Sequence, residues 1–435
     1  MMHPTDRAIV LAAVGLPLAL LPAIVRPGLW GAWFVFFLGL ALALGLDAFL
    51  ALPPGRLVLD VQIPKSLVVG EPGRVTVRAQ AMRSAEVEFL LDLHPDFAPA
   101  PKVRVAMEPE RGASVEITIV SRRRGHPTVD ALWCRWSGPL GLMRRQVRRA
   151  LGIEVAVVPD LAPVQAVALR FQAAPSARAG LKVERYMGDG SEFDAVREYA
   201  PGLDHRAIHW KASARHRRLL CREFRAERDH QVLLALDTGH LMAEAVSGVP
   251  RLDHAISAAL LLGYASLRLH DRVGLFAFDR AARAWTDPQG GLGAFPRLRA
   301  ATAQLSYTHE ETNYTLGMAE LSSRLRRRSL VVVFTEFADT VTAELMIENV
   351  SRLARKQLVL FVALRDPNVE EVARGAPRHS ADLYRAVVAS DLVRERELVL
   401  ARLRRAGVHC VDAFPGNLST RLLNRYLDIK RRELV

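Results

Sequence analysis

Two almost uncharged stretches at the start of the chain constrain its fold more than anything after them. Ile9–Val25 carries no charge, Leu29–Leu52 carries only Asp47, and Arg26-Pro27-Gly28 lies between them. Each stretch is close to the length that crosses a ~30 Å hydrocarbon core, and the link leaves room only for a tight turn. The pair predicts a transmembrane helical hairpin over residues 1–54. The second stretch, and the lack of a small-x-small site before Arg26, argue against a cleaved secretory signal. Trp30 and Trp33 fall near one end of the second stretch, where interfacial aromatics belong. Pro17 and Pro22 are expected to shorten or kink the first helix. Asp47 is expected near enough to its helix end to reach the interface. The competing reading is a helical pair buried inside a soluble protein.

Two spans return the chain to the side on which it began. The turn carries one Arg, whereas Arg56, Lys65 and many basic residues follow the second span, so the positive-inside bias puts the soluble part in the cytoplasm, against the inner membrane. Cys134, Cys221 and Cys410 form neither a close pair nor a metal spacing, which fits a reducing compartment. The net charge of +13 suits two partners, nucleic acid or anionic lipid headgroups. No nucleic-acid-binding module is recognisable, and a membrane anchor makes lipid the simpler partner.

From Arg56 to about Pro159 the apolar residues alternate in short runs. Leu57–Val61, Arg74–Arg78, Val87–Leu91, Ser114–Val120 and Ile153–Val158 read as strands, with turns at Gly70–Gly73, Pro95-Asp96 and Gly125–Pro127. Short strands at this spacing predict an all-β sandwich of immunoglobulin-like type over residues 55–160. Residues 161–230 form a charged segment. From Gln231 the pattern changes to continuous apolar runs at Val232–Asp237, Val273–Asp279, Leu330–Thr335 and Leu358–Leu364, with a shorter one at Val408–Asp412. Such runs suit strands buried on both faces of a parallel sheet. Between them lie amphipathic helices such as Leu252–Leu269, so residues 231–435 are expected to form a Rossmann-like α/β domain with a mostly parallel sheet.

The charged segment holds the densest motif in the chain, Gly190–Arg215. In it Arg197, Tyr199, Gly202, Arg206, Ile208, Trp210, Lys211, Ala214 and Arg215 follow the pattern R-x-Y-x-x-G-D-x-x-R-x-I-x-W-K-x-x-A-R. The one departure is Leu203, where an acidic residue is usual, although Asp204 follows. This motif closely resembles the signature of the DUF58 family, membrane-anchored bacterial proteins with a von Willebrand factor A-like domain. Arg122–Gly125 and Gly138–Leu142 resemble that family's R-R-G and D-P-L-G-L turns. The resemblance implies a von Willebrand A-like fold for the last domain and cooperation with a MoxR-type AAA+ ATPase. Two readings of the motif compete. In one it is a packed connector, with Tyr199 and Trp210 buried and its arginines paired with Glu198, Asp204, Glu223 and Glu227. In the other Arg197, Tyr199, Arg206, Trp210, Lys211 and Arg215 form a partner-binding surface. Eight Lys or Arg stand against two acidic residues from Arg206 to Arg228, so internal pairing cannot neutralise them all. Arg and Trp are also the residue types that anchor interfaces.

The von Willebrand A resemblance implies a divalent cation over the carboxyl ends of the strands, held by a D-x-S-x-S loop, a Thr and a further acidic residue. Hard cations such as Mg2+ need these oxygen donors. Asp237-Thr238-Gly239-His240-Leu241 keeps the Asp but loses both Ser positions, while Thr312 and Glu336 stand at the other two. With these gaps, Asp237 and Thr312 are expected to hold loops by hydrogen bonds instead. No phosphate loop, no His-Glu-x-x-His helix and no Gly-x-Ser-x-Gly elbow occurs, so the sequence gives no sign of an enzyme. The reading that follows is a non-enzymatic, membrane-anchored adaptor or assembly factor. The alternative is a metal-dependent adhesion-type binder of a protein ligand.

Overall fold

The computed structural model describes residues 2–25, 31–81, 84–107, 112–162, 164–166, 187–199, 208–225, 230–338, 340–341, 343–376 and 379–432. The chain divides into two compact units, Met1–Pro159 and Asp160–Val435.

In the first unit a short strand, β1 (Met2–Pro4), leads into helices α1 (Asp6–Val25) and α2 (Ala32–Leu50). Both helices consist almost wholly of Ala, Leu, Val, Ile and Phe, and Asp6 sits in the first turn of α1, where the helix dipole favours it. α1 continues through Pro17 and Pro22 rather than stopping short of them. Gly15 of α1 lies against the Phe36 ring of α2. The expected turn at Arg26–Gly28 lies outside the described residues. Along α2, Phe34, Val35, Leu38, Leu42 and Leu46 are exposed, and Phe49 is 84% exposed. Water penalises a surface of this kind, and lipid does not. Among the described residues one stretch, Trp33–Arg56, is long and apolar enough to cross a membrane.

Asp47 stands near the end of α2, as expected, and is fully buried within the protein, at 0% exposure. Its carboxylate accepts backbone N–H bonds from Leu140 (2.7 Å), Leu142 (2.8 Å) and Met143 (2.6 Å). These donors come from the turn at Gly138–Leu142, where a Cβ on Gly138 would stand 2.3 Å from Asp47 Oδ1. Further bonds join the same parts. Trp136 Nε1 donates to the Leu52 carbonyl (3.0 Å), Arg145 to the Ala48 carbonyl (3.1 Å) and the Thr5 amide to the Leu142 carbonyl (2.8 Å). The end of the apolar helix is therefore fastened to the β structure.

That β structure comprises β2 (Leu57–Gln62), β3 (Ser66–Val68), β4 (Pro72–Ala81), β5 (Ala85–Leu93), β6 (Val103–Met107), β7 (Ala113–Val120), β8 (Thr128–Ser137), β9 (Met143–Glu154) and β10 (Ala156–Val158). One antiparallel sheet runs β1-β9-β8-β5-β6 and another runs β2-β4-β7, while β10 pairs with β3 in parallel. In β4 and β7 every second residue is buried, so each strand turns one face inward. Val75, Val77, Val87, Phe89, Ile117, Ile119 and Trp136 supply the core.

The second unit opens with β11 (Met187–Glu198), helix α3 (Trp210–His216) and β12 (Leu220–Arg225), with β11 and β12 antiparallel. A six-stranded sheet follows, built from β13 (Gln231–Asp237), β16 (Arg272–Phe278), β17 (Ala282–Gln289), β18 (Leu330–Phe334), β19 (Leu358–Leu364) and β20 (His409–Ala413). The two-residue strands β14 (Ala245–Val246) and β15 (Val249–Pro250) form a separate pair. The sheet order is β17-β16-β13-β18-β19-β20; all pairs are parallel except the edge pair β16–β17. Every residue of β18 and β19 is buried. Apolar clusters cover both faces, one around Leu234, Ile256 and Leu360, the other around Phe276, Val333 and Phe361. Burial on both faces explains why these strands read as continuous apolar runs.

Asp47→Ala leaves three amides without their acceptor. The expected loss is ~3 kcal/mol, or roughly 6–12 °C in the melting of the first unit, followed by tryptophan fluorescence of the full chain in detergent. Asp47→Asn keeps one acceptor oxygen and should fall between the two.

Candidate functional site

The signature residues lie on the β11–α3–β12 segment. Arg197 and Glu198 end β11, in register with Cys221 and Leu220 of β12. The Tyr199 amide bonds the Leu219 carbonyl and the His209 amide the Leu220 carbonyl, both at 2.8 Å. Gly202 and Arg206 lie outside the described residues. His209 caps α3, its Nδ1 accepting from the Ala212 amide (3.1 Å). Ser213 ties α3 to β12: its hydroxyl accepts from the Leu220 amide (2.8 Å) and donates to the Leu220 carbonyl (3.3 Å).

This anchoring fixes which side chains face outward. Ile208, Ser213 and Leu220 are buried, whereas Lys211, Ala214, Arg215, Arg217 and Arg218 are exposed. Trp210 is 69% exposed, which corrects the connector reading in which its ring is buried. Trp210, Lys211, Ala214 and Arg215 follow i, i+1, i+4, i+5 spacing and share one side of the helix. Of the acidic partners expected for the arginines, Asp204 and Glu227 lie outside the described residues. Arg218 reaches Glu198 at 3.8 Å, both exposed, while Lys211 and Arg215 have no ion pair among the described residues.

The second cluster stands at the carboxyl ends of the parallel strands. Asp237, the last residue of β13, is 1% exposed. Its Oδ1 accepts from the Gly239 amide (2.8 Å) and the Thr312 hydroxyl (2.7 Å), and its Oδ2 from Thr335 (2.5 Å) and Tyr314 (3.4 Å). Burial raises the Asp237 pKa above the usual carboxylate value, and these bonds offset only part of that effect. The same burial, with the Asp237 charge beside it, pushes the Tyr314 hydroxyl well up. Thr238 turns the other way, its hydroxyl bonding the Phe278 carbonyl and Asp279 Oδ2, both at 3.2 Å. Asp279 is buried too and takes Arg283 Nε on both oxygens, at 2.8 and 2.6 Å. Burial acts to raise the Asp279 pKa, but the Arg283 bond and charge outweigh it and the net shift is downward.

Glu336 belongs to a chain of alternating charges. Arg396 Nη1 donates to its Oε1 (2.7 Å), and Arg251 Nε lies 3.7 Å from its Oε2. Arg396 also grips Asp412 Oδ1 from Nε (3.1 Å) and Nη2 (3.0 Å), and Arg365 bridges Asp412 Oδ2 (2.6 Å) to Glu370 (2.9 Å). Burial acts against the charge on Arg396, yet Glu336 and Asp412 hold its pKa above the ordinary arginine value.

The residues present do not fit a divalent cation. Both Asp237 oxygens are already engaged by four donors, Glu336 Oε1 accepts from the Arg396 guanidinium while its Oε2, buried without a hydrogen-bond partner, faces the Arg251 guanidinium at 3.7 Å, and a Cβ on Gly239 would stand 2.1 Å from Thr312 Oγ1. Among the described residues no group of three or more His, Cys, Asp or Glu is arranged to hold a metal. Sequence reasoning did not assign Tyr314, Thr335 or Asp279 to this cluster. The signal for Asp279 was present: it ends the second apolar run as Asp237 ends the first.

The family described as "Protein of unknown function DUF58" matches residues 195–381, which run from the signature into the α/β unit. No curated protein sequence matches the chain. Among solved structures the chain is similar to the conserved hypothetical protein BatB from Bacteroides thetaiotaomicron, with 15% identity, TM-score 0.33, and coverage of 47% of this chain and 99% of that one. It is also similar to an aerotolerance-related membrane protein from Bacteroides fragilis NCTC 9343 carrying multiple mutations to serines, with 13% identity, TM-score 0.31, and coverage of 46% and 99%.

Gly239→Ser restores one hydroxyl of a D-x-S-x-S loop but drives its Cβ into Thr312. The expected result is a loss of ~1–3 kcal/mol with no rise in melting temperature on adding Mg2+; a Mg2+-dependent rise of several degrees would mean that the loop opens to take the ion. A second outcome concerns pH. The folded pKa of Asp237 lies above its unfolded value near 3.9, so its stabilising contribution is full below that pH and is lost as pH rises through the folded value. Asp237→Asn removes this loss. The stability of wild type minus that of the variant should therefore fall as pH rises from about 4, with a slope approaching ~1.4 kcal/mol per pH unit between the two pKa values, read by melting the full chain across pH.

Proposed function

We propose that this chain is a non-enzymatic, membrane-anchored adaptor that works with a MoxR-type AAA+ ATPase, with the α3 surface as its partner-binding face. In this reading both apolar helices span the inner membrane and the rest of the chain is cytoplasmic. An immunoglobulin-like sandwich and a von Willebrand A-like domain then present surfaces to partner or client proteins. The ATPase supplies nucleotide hydrolysis, for which the sequence carries no phosphate loop. Three things support the reading: the family match over residues 195–381, the apolar stretch Trp33–Arg56, and the signature residues themselves.

The observation that carries it is Trp210. A tryptophan ring exposed to 69%, beside Lys211 and Arg215 that have no ion pair among the described residues, contributes little to the unit's own core. Buried in an interface, such a ring is a typical anchor, and the two cations select an acidic partner face. The signature thus divides by role. Ile208 and Ser213 fix the helix, and Trp210, Lys211 and Arg215 face outward.

The test is co-purification of the tagged full chain in detergent with the MoxR-type ATPase of the same cell, with and without ATP. Trp210→Ala should weaken binding by at least about tenfold, as expected for an anchor residue, and Lys211→Glu/Arg215→Glu by a similar factor. Binding that both variants leave unchanged removes α3 from the interface. No binding by the folded wild type removes the ATPase as partner.

A further inference from the structure

The first unit holds a cleft of about 910 Å3 whose lining includes Leu50, Ala51 and Leu52 at the end of α2. On one side of it the apolar surface of α2 arrives. Leu42, Leu46 and Phe49 are exposed at intervals of four and three residues, so they form one stripe that leads to Leu50 at the cleft. That stripe covers ~10 Å of helix at 1.5 Å per residue. On the other sides the lining is charged, with Arg7, Arg104, Arg135 and Arg144 against Asp6, Glu86 and Glu88.

Part of this charge is satisfied internally. Arg135 grips Glu88 Oε2 from Nη2 (2.7 Å) and Nε (3.1 Å), and Arg104 lies 3.9 Å from the same carboxylate. Arg7 and Arg144 have no ion pair among the described residues, and neither do Asp6 and Glu86. Their placement follows from the turn that Asp47 holds. Arg144 is paired with His3 in the β1–β9 ladder, and Arg7 Nη1 passes 3.4 Å from the Cβ position of Gly141. Among the described residues the cleft therefore offers two guanidiniums and two carboxylates without ion pairs where an apolar helix surface ends.

We propose that this cleft takes the headgroup of a phospholipid that carries both a phosphate and a primary ammonium. Arg7 and Arg144 bind the phosphate, Asp6 and Glu86 receive the ammonium, and the acyl chains lie along Leu42, Leu46 and Phe49. A purely anionic headgroup would meet the two carboxylates unfavourably, and a trimethylated ammonium has no N–H to donate to them. Guanidinium pairs suit phosphate oxygens because their fork matches two acceptors at once. The inference rests on the membrane-anchored reading above and adds to it a lipid class and a place.

Native mass spectrometry of the full chain in mild detergent tests it, with equal amounts of phosphatidylethanolamine, phosphatidylcholine and phosphatidylglycerol. Wild type should retain phosphatidylethanolamine over the other two by about tenfold. Arg7→Ala/Arg144→Ala should bring retention down to the phosphatidylcholine level, and Arg7→Lys/Arg144→Lys should recover part of it. Equal retention of all three lipids by wild type overturns the proposal without reference to any variant. Unchanged selectivity in the alanine variant, with wild-type melting, overturns it too, and so does competition by water-soluble glycerophosphoethanolamine as effective as the intact lipid. Alkaline carbonate extraction of the same membranes separates the two levels. Release of wild type from the membrane defeats the anchored reading itself, whereas retention without lipid preference defeats only the headgroup site.

Discussion

A carboxylate buried at the end of an apolar helix decides the architecture of the first unit. An isolated ionised carboxylate out of water carries a heavy penalty, so Asp47 has to find donors or stay solvated. It finds three backbone amides of the Gly138–Met143 turn, at 2.6–2.8 Å. Successive amides converging on one anion form a rigid receptor that loses little entropy on binding, and a charged acceptor makes each bond stronger than a neutral one. The turn needs Gly138 because any Cβ there would strike the carboxylate. Helix end, turn and the β8–β9 strands therefore constrain one another. The Trp136 and Arg145 bonds to the Leu52 and Ala48 carbonyls satisfy acceptors in the same place.

The second unit uses the same device at the carboxyl edge of its sheet. Parallel strands bring Asp237 of β13, Glu336 just beyond β18 and Asp412 of β20 to one edge, where each needs compensation. Burial raises the pKa of Asp237, and the neutral donors it receives offset only part of that rise. Glu336 and Asp412 receive the Arg396 guanidinium, which reaches in from the helix Ser380–Arg405. Removing either partner would leave a buried charge alone, so such a pair constrains which arrangements of the edge are tolerable more than it adds net stability.

Much of this was legible in the sequence. The continuous runs at 232–237, 330–335 and 358–364 correspond, to within a residue, to buried strands because both faces of the sheet are covered. Alternation gave β2, β4, β5 and β7 to within a few residues. It did not single out β8, and the ladder supplies the reason. A register shift between Val129 and Ala131 places Ala131 and Leu132 both inward, which breaks the period of two that the reading relies on. Ile153–Val158 read as one strand, yet Val155 separates β9 from β10 and the pairing partner changes there. The burial of Asp47 and the exposure of Trp210 were left open by the sequence for a common reason. A lone acid near the end of an apolar run does not show its partner, and a Trp in a charged run reads equally as a buried ring or as an exposed anchor. Where each goes depends on a partner distant in sequence or on the helix register, neither of which local composition encodes. The Asp237 cluster was half visible, since Thr312 was named while Tyr314 and Thr335 depend on loops meeting in space.

The two regions of the second unit that carry functional readings differ in what they can recognise. An edge that bridges a partner's carboxylate through a divalent ion needs oxygen donors with vacant lone pairs and a soluble cation. Here Asp237 is saturated by hydrogen bonds, and the positive charge beside Glu336 is a covalently attached guanidinium that cannot dissociate. A fixed cation of this sort constrains the edge and offers nothing exchangeable to a ligand. On α3 the situation is reversed, because Lys211 and Arg215 are exposed and the Trp210 ring still has most of its surface to bury. Binding through such a face gains from desolvating the ring and from complementary charge, and it weakens as salt screens that charge. Under the adaptor reading proposed above, recognition by this unit is expected to respond to ionic strength rather than to divalent metal.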